Sequence, residues 1–215
     1  MKGAASVKGS AAKPSTFSGR MRLRTERVMR AAAMPLVRAG VGPNAITLGG
    51  LLGTTAAAVL LARGQLGWGA VVILLSSTAD VLDGAVARLR GAPTRFGALL
   101  DSVSDRYGEL LIYLGLVYRF LTRNDDIGVL LAFGAAAGSV LVSYVKARAE
   151  GLGFEAQVGL LSRLERFVIL IPSLLAGQAS VGLALIAALA NLTAIQRLLY
   201  VRRQAAAPGS RRSGV

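Results

Sequence analysis

The chain contains neither cysteine nor histidine. Their absence excludes disulfides, thiolate nucleophiles, Cys/His zinc sites and imidazole bases together, so acid–base work must fall to carboxylates. Charge is also scarce. Only 17% of the 215 residues are charged, with 11 acids against 25 lysines and arginines. With 53% hydrophobic residues and a mean hydropathy of +0.56, the chain is too apolar for an ordinary soluble domain and fits one compact multi-span membrane domain. The net charge of +14 does not point to nucleic acid, because the basic residues lie mostly between apolar segments and no aromatics interleave the basic tail.

Residues 1–19 lack the apolar core of a signal peptide and are expected to form a disordered tail. From 20 to 41, Arg22, Arg27, Arg30 and Arg38 alternate with Met21, Val28, Met29 and Leu36, a basic amphipathic pattern suited to a juxtamembrane helix on an anionic bilayer surface. A solvated arm is the alternative before Arg27. Apolar runs follow at Ala45–Ala62, Leu66–Leu89, Gly97–Leu121, Ile127–Ala147, Arg163–Ala176 and Val181–Val201. All but the fifth have about the 20 residues a span needs, and the fifth could begin earlier in the fairly apolar 151–162 linker. These runs predict an all-α polytopic membrane protein with six transmembrane helices over 42–203 and a disordered tail over 204–215. Small residues at four-residue spacing, Gly49 and Gly53 or Gly134 and Gly138, suit close helix packing. The basic loops at 88–95 and 146–166 and both basic ends predict cytoplasmic termini in a plasma-membrane protein.

Asp80, Asp83, Asp101 and Asp105 interrupt the second and third runs. Carboxylates at membrane depth are costly and persist when partnered. Spaced by three and by four, each pair shares one helical face. Asp80, Asp83, Gly84, Ala87 and Arg88 form a stripe with two acids, a nearly bare surface and a terminal cation. Gly97, Asp101 and Asp105 form a second stripe. Facing each other, the stripes offer hard oxygen ligands to a pair of Mg²⁺ ions, with Mn²⁺ as an alternative, while Arg88 can take a phosphate. The competing readings are boundary acids neutralised by Arg88, Arg95 or Arg106, and a cation pathway, which gives Gly84, Ala87 and Arg88 no role.

The eight fixed residues from Asp80 to Asp105 resemble the signature of the CDP-alcohol phosphotransferase family, whose members displace CMP from a CDP-linked lipid by attack of an alcohol. The resemblance implies that Asp80 and Asp101 bind both metals, Asp83 one and Asp105 the other. It also makes Asp105 the catalytic base. With a reference pKa of about 4, a carboxylate can serve only if the metal acidifies the hydroxyl or the surroundings make it more basic. Gly84, Arg88 and Thr94 match CDP-lipid contacts, as does the segment Pro43, Asn44, Ala45, Ile46 and Thr47, whose Pro and Asn equally make an ordinary helix start.

The acceptor is read from three further stretches. Residues 143–150, 162–166 and 196–197 look similar to actinobacterial phosphatidylinositol phosphate synthases, which join CDP-diacylglycerol to inositol 1-phosphate. Lys146, Arg148, Arg163, Arg166 and Arg197 are the candidate contacts for the acceptor's phosphate, against the plain alternative of cytoplasmic topology charge. Arg163-Leu164-Glu165-Arg166 departs from the Arg-Pro-Glu-Arg of other members, which bears on how the fifth helix starts. Glycerol 3-phosphate is the rival acceptor. The resemblance further implies a homodimer in the lipid bilayer.

Overall fold

The structure, a computed structural model, describes residues 29–91 and 94–206. The tail expected over 1–19, the basic residues 20–28 and the tail from 207 lie outside them. A short helix α1 covers residues 29–38. After it come α2 (Pro43–Ala62), α3 (Leu66–Leu89), α4 (Arg95–Leu121), α5 (Asp126–Gly151), α6 (Arg163–Leu175) and α7 (Ala179–Ala206). Among the described residues every regular element is helical.

Local sequence sets the helix limits. Pro43 at the first position of α2 follows Gly42 as N-cap, where a missing N–H costs nothing. Thr94 caps α4, its hydroxyl accepting from the Gly97 N–H at 2.9 Å. The fifth predicted span does not begin early, because 152–162 is not helical. Instead α6 starts at Arg163 with a Ser162–Glu165 capping box. The Glu165 carboxylate accepts from the Ser162 N–H at 2.8 Å and from its hydroxyl, so the missing proline is replaced by another start device. At the other end, residues 204–206 continue α7 rather than joining a disordered tail.

Four helices, α2, α3, α5 and α7, are long and apolar enough to cross a membrane. The other two predicted spans do not meet that measure. Though 27 residues long, α4 carries Asp101, Asp105, Arg106 and Glu109, and α6 has only 13 residues, a rise of about 20 Å. Large apolar side chains cover the outside, among them Leu52, Leu130 and Phe133, as lipid contact requires and water would penalise.

The helices pack in the cyclic order α3, α2, α4, α5, α7, α6 and back to α3. Small residues allow the close approaches: a side chain at Gly115 would strike the Ala58 carbonyl of α2, and one at Gly138 would strike Asn191 of α7. Asn191 Nδ2 also donates to the Gly134 carbonyl at 3.1 Å. Gly49, by contrast, faces open space and makes no such contact. At the end holding the acids, Ala33 of α1 is buried against Ala85 and Val86 of α3, with Ile46 and Leu89 beside them. Arg30 and Arg38 remain exposed.

Candidate active site

The second half of α3 and the first half of α4 bring the acidic stripes to the same end of the ring. Pro43, Asn44 and Thr47 of α2, with Asp83, Gly84 and Arg88 of α3, form two walls of a cavity of about 400 Å³. Thr94, Gly97 and Asp101 close it from α4. This is a usual ligand-pocket size. Two residues of the predicted CDP-lipid set are not in its lining: Ala45 is exposed and Ile46 packs toward α1. Helical geometry is the reason, since positions 43, 44 and 47 share a face that 45 and 46 do not.

Glycines hold that space open. A Cβ at Gly97 would stand 2.9 Å from Thr94 Oγ1 and 3.3 Å from Asn44 Oδ1, and one at Gly50 would stand 3.2 Å from Asp80 Oδ1. Gly50 belongs to no motif recognised in the sequence, yet it gives Asp80 its room.

The four acids divide between two sides. Asp83, 6% exposed, faces the cavity and accepts a 2.5 Å hydrogen bond from Thr47 Oγ1. Asp80 and Asp105 face α6. There the Arg163 guanidinium reaches Asp80 Oδ2 through Nη2 at 2.9 Å and Asp105 Oδ1 through Nη1 at 2.6 Å. Its far face lies over the Phe167 ring, 5.2 Å from the centroid, a cation–π geometry. Arg106 adds a longer contact to Asp105 at 3.8 Å. Between the two sides, Asp101 is near enough for its charge to act on Asp80, Asp83 and Asp105.

This donor set suits a hard divalent cation: carboxylates only, from the two helices that flank α2, two of them close enough to share one guanidinium. The side chains do not already form a cage. Held by Arg163 and Thr47, no three acids among the described residues group tightly enough to hold an ion, which differs from the convergent quartet expected from the stripes. Repulsion is the physical reason, since bare carboxylates at short range seek separate positive or hydrogen-bonding partners.

The five candidate acceptor contacts also separate. Arg163 stands in the acidic cleft. Arg166, only 1% exposed, is clamped by Glu109, with Nε to Oε1 at 2.5 Å and Nη2 to Oε2 at 2.9 Å. Pulling it away would strand a buried carboxylate at a cost of about 3–5 kcal/mol, above the roughly 1.5–3 kcal/mol of one new charged hydrogen bond. Arg166 is therefore a scaffold cation whose Nη1 alone lacks a protein partner. Nearby Arg197 donates to the Val142 and Val158 carbonyls at 2.7 and 2.8 Å. Lys146 pairs with Glu150 at 3.8 Å, and Arg148 is exposed. Neither of the last two joins the cleft contacts, because the C-terminal part of α5 directs them to its own surface. Missed in the sequence were Glu109, Tyr113 and Ser139, the last two joined at 3.1 Å; a lone acid and two hydroxyls in an apolar run carry no spacing signal.

Taken together, the helical ring, its apolar exterior and its polar, acid-lined end define a membrane protein built around a small-molecule cleft. A family model described as CDP-alcohol phosphatidyltransferase matches residues 41–198, and the chain belongs to that family. It is a transferase of this type, and the family is divalent-metal dependent. The archaetidylinositol phosphate synthase of Methanothermobacter thermautotrophicus is 39% identical over 182 residues, covering 78% of this chain and 91% of that protein. The phosphatidylinositol phosphate synthase of Mycolicibacterium smegmatis is 40% identical over 151 residues, 67% and 66% of the two chains. Among solved structures, the phosphatidylinositol phosphate synthase of Mycobacterium tuberculosis superposes with TM-score 0.79 in its complex with manganese and citrate, at 32% identity over 87% of this chain and 93% of that one. With CDP-DAG bound it gives a TM-score of 0.78, again at 32% identity, over 88% and 99%.

Proposed function

We propose that this enzyme transfers a phosphatidyl group from CDP-diacylglycerol to inositol 1-phosphate, releasing CMP. The observation that carries the reading is the meeting of Asp80 and Asp105 on the Arg163 guanidinium, beside a cavity walled by Asp83, Arg88 and Asp101. Acids suited to a metal-bound diphosphate thus adjoin a cation suited to an acceptor's phosphate. Asp80, Asp83, Asp101 and Asp105 would hold two Mg²⁺ ions, or Mn²⁺ in their place. When bound, such ions supply charge stabilisation at the diphosphate and the departing CMP.

The residues of the chain do the rest. Arg88, Gly84, Asn44 and Thr94 take the cytidine diphosphate portion in the cavity. Arg163 draws the acceptor's phosphate in from the α6 side, with Arg197 behind it. The acceptor hydroxyl attacks the β-phosphorus, the bond from that phosphorus to CMP breaks, and CMP leaves with the electron pair. Asp105 receives the hydroxyl proton. The bias of basic residues toward this end orients it and both termini to the cytoplasm. α4 and α6 complete six spans, α4 turning its charges to the interior, and the assembly is a homodimer in the plasma membrane.

The test is CMP release from CDP-diacylglycerol with inositol 1-phosphate, glycerol 3-phosphate or unphosphorylated inositol. Turnover with inositol 1-phosphate and neither of the others is expected. Turnover with glycerol 3-phosphate alone would overturn the acceptor assignment.

A further inference from the structure

Two ion pairs form successive rungs between α4 and α6. On α4, Asp105 and Glu109 are four residues apart; on α6, Arg163 and Arg166 are three apart, so each pair shares a helical face. The first rung, Asp105 with Arg163, borders the cleft, with side chains 15% and 32% exposed. The second, Glu109 with Arg166, is sealed, at 7% and 1%. Otherwise α6 packs chiefly on α3 and α7, and it follows an 11-residue irregular linker, 152–162. A short helix behind such a linker needs a fixed point to define its rotation and height against α4. The bidentate Glu109–Arg166 contact supplies one, since a guanidinium fork gripped at two nitrogens admits a single orientation.

We propose that Glu109, acting through Arg166, is a positioning residue for acceptor recognition. The proposal deepens the reaction assigned above and rests on it. By locking Arg166, Glu109 sets α6 so that Arg163, one turn earlier, enters the cleft between Asp80 and Asp105 where the acceptor's phosphate is taken. It also leaves Arg166 Nη1, buried and without a protein partner as Arg163 Nε is, as a donor on that side, next to the charge of Arg197. Neither Glu109 nor Arg166 lines the cavity assigned to the CDP portion, so the effect falls on one substrate. The buried anchor extends inward from Glu109 to Tyr113, one turn along α4 and itself bonded to Ser139 of α5.

The test uses the full-length enzyme in detergent micelles, with thermal unfolding measured beside CMP-release kinetics in which each substrate is varied. Glu109→Gln keeps the shape and removes the charge; Glu109→Asp keeps the charge and shortens the arm. Glu109→Gln is expected to raise KM for inositol 1-phosphate by about tenfold or more while KM for CDP-diacylglycerol changes by less than about twofold. Glu109→Asp is expected to show the same selectivity with a smaller rise. A folded variant with unchanged constants, or with both KM values rising alike, overturns the proposal. Loss of the fold in both variants overturns it too, since the pair would then be only a structural clamp. Wild-type enzyme that releases no CMP with inositol 1-phosphate overturns the acceptor reading itself, an outcome visible before any variant is made.

Discussion

Replacing Gly84 by leucine should separate stability from activity. A Cβ there would meet only Arg88 Nη1, at 3.4 Å, an ordinary contact with the end of a flexible side chain. The remaining carbons would enter the cavity of about 400 Å³ beside Asp83 and Arg88. In the helix itself the substitution is favourable, because glycine costs roughly 0.8–1 kcal/mol more than alanine or leucine in a helix interior. For a chain of this size that gain corresponds to a rise in Tm of about 2–4 °C. Blocking the CDP portion should lower kcat/KM for CDP-diacylglycerol by about 100-fold or more, equivalent to about 2.7 kcal/mol. Thermal unfolding and CMP release on one preparation give both numbers. Wild-type turnover in Gly84→Leu would show that this cavity is not the nucleotide site. A fall in Tm of several degrees would show that the glycine serves helix packing instead.

Asp105→Asn should fold and bind CDP-diacylglycerol while retaining less than about 1% of turnover, since proton acceptance lies with that carboxylate; near-normal CMP release would remove Asp105 from the reaction. Arg163→Ala should destabilise the metal-free protein by about 2 kcal/mol, a buried-pair cost discounted for partial exposure, by leaving Asp80 and Asp105 without their shared counter-charge. Added Mn²⁺ should then raise Tm more in the variant than in wild type, because a cation replaces what was lost. An equal Mn²⁺ shift in both proteins would refute that account.

The legible part of this protein was the part with a period. Apolar runs located α2, α3, α5 and α7 to within a few residues, and the spacing of Asp83, Gly84 and Arg88 placed the cavity wall on α3. The segment from Pro43 to Thr47 was legible in composition but not in facing, so Ala45 and Ile46 were grouped with neighbours that point elsewhere. The arginines of α6 were harder. Arg163 and Arg166 look alike in sequence, and only the position of Glu109 across the helix gap gives one to the cleft and the other to the interior. Long-range pairing of single charges leaves no local pattern to read.

The irregular stretch before α6 is stitched to α7 at three levels. Thr193 Oγ1 accepts from the Leu161 N–H, Arg197 Nε donates to the Val158 carbonyl, and Gln204 exchanges two hydrogen bonds with the Glu155 backbone. On the proposed reading, the chain therefore splits its chemistry by sequence order: residues before about 105 grip the donor lipid, and residues from the linker onward shape what receives its phosphatidyl group. A change of co-substrate written into the α6–α7 half would therefore be felt by the acids as well, through the hold of Arg163 on Asp80 and Asp105.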